Sequence, residues 1–307
     1  MKHIFILALA FCCLTANAQN QVVKRHGTKK ETSTTATQKS TSKKTSTAET
    51  SGHKSKTSSS SSRMESLPKA VHQGISYQTF YVNGVSFQMA KVVAGSFYMG
   101  ATSEQKNPYS DEKPKHKVTL TRNYYIGKTE VTQALWKAVM GSNPSRFNGD
   151  NKPVECVSWN DCQTFISKLN TATGRQFRLP TEAEWEFAAR GGNNSRHYQY
   201  SGSNSLYDVA WYGDNSSNTT HDVATKQANE LGLYDMSGNV WEWCSDWYGN
   251  YSSNTQYDPA GPTSGSYRVY RGGSWDDDAG YCRSSGRGRY NPGFRYYSMG
   301  FRLALSE

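Results

Sequence analysis

Long apolar runs are scarce in this sequence. The longest, residues 4–14, has eleven residues. That is too short for a permanent helix across a hydrocarbon core of about 30 Å, so the chain does not read as an integral membrane protein. Histidine is also sparse. Past residue 70 only His72, His116, His197 and His221 occur, no two of them four residues apart, which argues against a histidine-built iron site. Acidic side chains nearly vanish between residues 24 and 63, where Glu31 and Glu49 face ten Lys or Arg.

The front of the chain has the three parts of an export signal: a basic start at Lys2, the apolar run, and Ala16-Asn17-Ala18 with small residues at both recognition positions. Residues 1–18 are therefore expected to be a signal peptide cleaved before Gln19, and the mature protein to be periplasmic, at the cell surface or secreted. Cys12 and Cys13 raise the alternative of a lipid-modified cysteine, less favoured because Phe11 or Cys12 stands where a lipoprotein signal wants a small residue. Residues 19–73 read as a tether. Between 24 and 63, 21 of 40 residues are Ser or Thr and the only aliphatic ones are two alanines, so nothing offsets the entropy of ordering the segment. It supplies +8 of the chain's +10, and Lys2 one more, leaving the remainder near +1. The basic balance thus describes a spacer and gives no reason to expect a specific nucleic-acid ligand, although a basic arm can touch anionic polymers non-specifically.

Residues 74–307 hold all eight tryptophans and suit one domain with a large core. Alternating residues around Asn83-Gly84 predict a hairpin over 77–92, with further strands at 95–100 and 118–126. Thr132 caps a predicted helix ending at Met140, with Ala134, Leu135 and Ala138 inward and Gly141 as its stop. A second helix from Asn160 has the stripe Cys162, Phe165, Ile166 and Leu169. Thr181 with Glu184 forms a capping box for a third, with Ala183, Phe187 and Ala188 buried and Trp185 half-buried. Past residue 193 short patches at 208–212, 232–234, 240–243, 268–270 and 299–303 sit among Gly, Asn and Ser. The class is α+β with much irregular structure.

Six blocks then occur in order: Val93-Ala94-Gly95-Ser96-Phe97-Tyr98-Met99-Gly100; Lys128-Thr129-Glu130-Val131-Thr132; Pro153-Val154 with Val157-Ser158-Trp159; Arg178-Leu179-Pro180-Thr181-Glu182-Ala183-Glu184-Trp185-Glu186; the run from Gly232 through Gly238-Asn239-Val240-Trp241-Glu242-Trp243; and Arg271-Gly272-Gly273-Ser274-Trp275 with Gly300-Phe301-Arg302-Leu303. From about residue 85 onward the chain resembles the formylglycine-generating enzyme (sulfatase-modifying factor) family. The resemblance implies that family's variant of the C-type lectin fold. It also implies an activity, oxidation of a sulfatase cysteine in a Cys-X-Pro-X-Arg segment with copper held by two cysteines. At the positions that match this pair the chain has Asp277 and Cys282, and Ser274 matches a serine of the substrate groove. A carboxylate is a hard ligand and a poor substitute for thiolate toward Cu(I), so copper is not expected. The mature chain's cysteines, Cys156, Cys162, Cys244 and Cys282, allow up to two disulfides whose pairing the sequence leaves open. The family's own disulfide positions correspond to Ile166 and Ala189.

Calcium is expected as a structural ion. Asp235 and Glu242 bracket Gly238-Asn239, a spacing that can fold carboxylates and carbonyls around a hard cation. The resemblance implies Asp235 and Glu242 by side chain and Gly238 and Val240 by carbonyl. A second set would be Asp208, the Val209 carbonyl and Asn215.

Residues 276–298 are rich in Tyr, Arg, Ser, Gly and Asp, the mixture of rigid amphipathic contacts and small adaptable residues that recognition surfaces favour. The expected binding face comprises Asp276, Asp277, Asp278, Tyr281, Arg283, Arg287, Arg289, Tyr290, Asn291, Phe294, Tyr296 and Tyr297. The stretch also resembles the variable segment of retroelement-diversified binding proteins. The leading expectation is an exported, non-catalytic module that binds a protein or glycan there. The alternatives are a part of an envelope or secretion assembly and, less favoured, a formylglycine-generating oxidase.

Overall fold

The structure, a computed structural model, describes residues 74–307. The expected signal peptide and tether lie outside the described residues. Tyr77–Val82 (β1) and Val85–Val92 (β2) pair antiparallel, turning through Asn83 and Gly84, both at positive φ as a two-residue hairpin of this type requires. Gly95–Met99 (β3) follows. The strand expected over 118–126 is two: His116–Leu120 (β4), which pairs with β3, and Tyr124–Gly127 (β5), which crosses to β2. The polar Thr121-Arg122-Asn123 stretch between them lets the chain change sheets.

Gln133–Met140 (α1) has Thr132 as N-cap and Gly141 in the left-handed region at its end. Its inward anchor is not the alanines. Ala134 and Ala138 are half-buried, and Trp136 beside Leu135 fills the core, stacked 5.1 Å from Phe165. Trp159–Thr173 (α2) buries the stripe Cys162, Phe165, Ile166 and Leu169. After Phe177–Arg178 (β6) comes Glu182–Ala189 (α3), with the Thr181–Glu184 capping box in place. Trp185 is fully buried there, not half-buried, and Glu182 and Glu186 are buried with it.

The rest is short: Leu206–Val209 (α4), Trp241–Trp247 (β7), Gln256–Tyr257 (β8), Arg268–Arg271 (β9), Arg287–Tyr290 (β10), Met299–Gly300 (β11) and Ala304–Ser306 (β12). Three sheets result, ordered β1-β2-β5-β12-β6, β10-β9-β7-β11 and β3-β4-β8. The last strand, β12, lies inside the first sheet between β5 and β6, and β11 runs parallel to β7. The chain's end thereby ties the N-terminal sheet to the segments that carry the candidate site.

Candidate functional site

At the end of β9 the backbone turns through Gly272 and Gly273, both at positive φ. A Cβ on Gly273 would lie 2.6 Å from the Cys282 sulfur, so only glycine lets these segments meet. The turn is fixed from beneath. Gly238 donates its N–H to the Gly272 carbonyl, and Trp275 donates to the Asn239 carbonyl, both at 2.9 Å. Ser274 donates its hydroxyl to the Asp277 carboxylate. Burial pushes that carboxyl up to about 6, with Ser274 and Trp241 offsetting part of the effect. Cys282 is sealed among Tyr200, Leu206, Val209 and Ala210. Burial, reinforced by Asp277 and Asp278, holds its thiol well above its ordinary pKa.

The Asp235–Glu242 loop lies behind this turn, with Asp235, Gly238 and Asn239 all at positive φ. One Asp235 oxygen accepts the Ala224 N–H at 2.7 Å, and the other, Oδ1, is buried without a partner. Burial moves this carboxyl up to about 6. Both Glu242 oxygens are engaged: Arg302 pairs with them at 2.6 Å each, and Trp185 Nε1 donates to Oε2 at 2.6 Å. Glu130 reaches the same pocket and accepts from Val240 N–H at 3.3 Å. Burial first, then Asp235 and Glu242, push its carboxyl well up. Three carboxylates therefore sense one another around a single guanidinium. The donor set fits a hard cation in part, through the orphaned Asp235 oxygen. Among the described residues, however, no three His, Cys, Asp or Glu groups converge as a ready metal site.

Around the second expected set, Asn215 has its amide committed, accepting from Tyr212 N–H at 2.8 Å and donating to the Ala210 carbonyl at 2.9 Å. Asp208 lies within electrostatic reach of the Lys226 ammonium, which donates to the Tyr207 carbonyl at 2.6 Å. Val209 is buried in α4. A cation is already present beside Asp208.

Of the expected binding face, Asp276, Asp278, Arg289 and Asn291 are exposed, and Asp277, Tyr281, Tyr290, Phe294, Tyr296 and Tyr297 are half-buried. Two arginines are not surface groups. Arg283 is buried and paired with Glu112 at 2.6 Å, and Arg287 is buried and paired with Glu182 at 2.6 Å. The aromatic residues form a continuous row. Ring centroids run from Tyr290 to Phe294 at 3.7 Å, to Tyr296 at 5.8 Å, to Tyr297 at 3.9 Å, to Trp275 at 5.5 Å and on to Phe147 at 5.2 Å. Arg146 lies over the rings of Phe147 and Tyr297 at 5.4 and 4.9 Å. Phe147 and Arg146, on the loop after α1, were not expected in this face.

Residues 83–307 match the family described as the sulfatase-modifying factor enzyme 1-like domain. The chain belongs to this family. It is 36% identical over 258 residues to the chaperone protein LppX of Paenibacillus barcinonensis, covering 68% of this chain and 87% of that protein. It is 37% identical to the formylglycine-generating enzyme of Mus musculus, covering 58% of this chain and 50% of the enzyme. Among solved structures, Treponema denticola variable protein 1 superposes with a TM-score of 0.69 at 38% identity, covering 75% of this chain and 99% of that one. PvdO from Pseudomonas aeruginosa gives 0.65 at 27% identity, covering 75% and 98%. In this member the catalytic cysteine pair is incomplete. Cys282 is present, Asp277 stands where the resemblance places the other cysteine, and the four described cysteines are buried. One buried thiol beside a carboxylate is a poor donor set for Cu(I), which prefers two sulfurs, and no oxidative step is drawn through these residues.

Proposed function

We propose that this chain is an exported, non-catalytic recognition module on a sulfatase-modifying-factor scaffold, taking a protein or glycan ligand on its aromatic row. The observation that supports it most is the unbroken line of rings from Tyr290 to Phe147, half-buried except for the buried Trp275 and flanked by Arg146. Rings held by their neighbours offer contact area at little entropic cost, and arginine at their edge adds directional bonds. The Paenibacillus relative is named a chaperone, which supports a protein ligand over a glycan. Export rests on residues 1–18, and the lectin-type description of the fold belongs to the same proposal.

The test is binding of the secreted partner repertoire and a glycan array to the wild type and to Tyr297→Ala. Loss of the ring at the centre of the row is expected to weaken any captured ligand by about tenfold to a hundredfold, with folding intact. Ligand binding indifferent to Tyr297→Ala and Phe294→Ala would remove the row from the function.

A diversified C-terminal segment is a second reading, supported by the Treponema relative's name, a variable protein. Burial limits it to Asp276, Asp278, Arg289, Asn291 and their exposed neighbours, because Arg283 and Arg287 are tied into buried ion pairs. A near-copy of the codons for this segment in adjacent DNA, differing only at the exposed positions, is the expected finding.

A structural calcium at the Asp235 loop completes the proposal, with Asp235 as the anchoring side chain, Gly238 and Val240 as carbonyl donors, and Glu242 released in part from Arg302. The orphaned Asp235 oxygen and the surplus of carboxylates support it. Calcium is expected to raise the melting temperature by several degrees, and Asp235→Asn to abolish that rise. Identical melting in calcium and in chelator would sink this part.

A further inference from the structure

A cavity of about 260 Å3 opens between α3, β7 and the loop of residues 248–262. It contains none of the aromatic row and neither Asp277 nor Cys282. Exposed Asn250, Gly261 and Pro262 form its mouth, and buried His116, Glu182 and Asp246 lie at its floor.

The floor's polar groups can be accounted for one by one. Glu182 is saturated, taking Arg287 Nε at 2.7 Å, Arg287 Nη2 at 2.6 Å and the Tyr251 hydroxyl at 3.1 Å. Arg287 spends its other nitrogen on the carbonyls of Asp111 and Gly249. Asp246 Oδ2 accepts the Glu182 N–H and the Ser245 hydroxyl, both at 2.9 Å. Asp246 Oδ1 takes no hydrogen bond from a described residue and lies beneath Gly261, 3.3 Å from where a Cβ there would stand. No lysine or arginine pairs with Asp246 among the described residues. Arg268 attracts it only from a distance, its guanidinium being stacked 3.5 Å over Trp247 and 3.9 Å over Trp159. His116 Nδ1 lies 3.2 Å from the Pro114 carbonyl, a contact that an N–H makes, so the neutral ring presents Nε2 as an acceptor. Glu182 is balanced by Arg287, with Arg271 Nε also 3.2 Å from it, and Asp246, whose carboxyl burial pushes up to about 7, is the acid on this floor without an ion-pair partner among the described residues, ionised at pH 8.

A site with two open acceptors, one of them a carboxylate without an ion-pair partner, selects a cationic hydrogen-bond donor. Met99, Ala183, Pro259 and Pro262 supply an apolar wall for an alkyl stem. We propose that this cavity binds the primary ammonium end of a small organic amine, with Asp246 Oδ1 and His116 Nε2 accepting its N–H groups. Asp246 is a binding residue in this scheme, independent of the aromatic row, and no bond is made or broken.

The experiment titrates the full chain at pH 8 with pentylamine, 1-pentanol and pentanoate, following heat and the amide resonances of Asn250 and Gly261. Saturable binding of pentylamine alone, shifting those resonances, is expected. Asp246→Asn keeps an acceptor for the Glu182 N–H while removing the charge, and is expected to lose about tenfold or more in affinity. Tyr297→Ala, on the aromatic row, should bind pentylamine as the wild type does. Equal binding of 1-pentanol, or unchanged affinity in folded Asp246→Asn, overturns the proposal, as does saturable Zn2+ binding without amine binding. Should Asp246→Asn fail to fold, the comparison of amine with alcohol on the wild type decides alone.

Discussion

Purified protein given copper, oxygen, a reductant and a Cys-X-Pro-X-Arg peptide is expected to leave the peptide's cysteine as cysteine. The reaction needs Cu(I) held by soft sulfur, and where the family resemblance places one of the two sulfurs stands Asp277, whose carboxyl is held by the Ser274 hydroxyl. The remaining sulfur, on Cys282, is fully buried and kept protonated by burial and by two neighbouring carboxylates. Such a thiol must lose its proton before it can bind a metal, so its burial opposes copper as well. The run Asp276-Asp277-Asp278 could accept a proton but provides no path for electrons to oxygen. Mass spectrometry of the peptide after incubation reads the result. Conversion above the copper-only control that disappears in Cys282→Ala would overturn the non-catalytic reading. Asp277→Cys separates the two causes of silence. If the missing sulfur is the only defect, this variant gains Cu(I) binding measurable against a competing chelator. If the sealed packing of Cys282 also matters, copper binding stays absent although both sulfurs are present.

What the sequence disclosed about this molecule was mostly local. The Asn83-Gly84 turn, the Thr181–Glu184 capping box and the Cys162-to-Leu169 stripe each encode their structure within a few residues, and each is present in the fold. The division of 118–126 into β4 and β5 was hidden because both halves are apolar alternations, and only their different partners, β3 and β2, separate them. Partner choice over long separations had no local signature at all. Arg283 and Arg287 look like recognition residues because they stand among tyrosines. Their carboxylates, Glu112 and Glu182, lie 171 and 105 residues away. Charged side chains are seldom fully buried unless paired, and a pair so distant cannot be read from spacing. The partner of Glu242 was hidden for the same reason. Its position in the Gly238-Asn239 loop suggests a metal ligand, but Arg302, 60 residues on, holds both its oxygens. The aromatic row was legible in part, since five of its rings fall between 275 and 297. Phe147 joins it only through the fold.

The pair Glu242–Arg302 carries the largest expected effect on stability. Both side chains are fully buried, and Arg302 also donates to the carbonyls of Gly127 and Tyr234 at 2.9 Å, linking the end of the chain to the first sheet. Removing one member of a buried pair strands the other in a low dielectric, at a cost of about 3–5 kcal/mol. Arg302→Met should be the worse of the two single changes, because it leaves Glu130, Asp235 and Glu242 together without their common cation. Glu242→Gln is milder, since burial and the charges of Asp235 and Glu242 push the Glu130 carboxyl up, and losing the Glu242 charge eases its ionisation toward Arg302. The two variants should also differ in pH dependence. Asp235 titrates near 6 in the folded chain, above its ordinary value, so folding favours the protonated form and stability declines as pH rises from about 4 to 6. Arg302 lowers that folded value, so Arg302→Met raises it further and extends the decline toward neutral pH. Glu242→Gln removes a charge that raises it, and shortens the decline. Urea unfolding in chelator from pH 4 to 8 measures both slopes. Parallel curves for wild type and Arg302→Met, or a Glu242→Gln loss larger than that of Arg302→Met, would show that the carboxylates do not share this arginine.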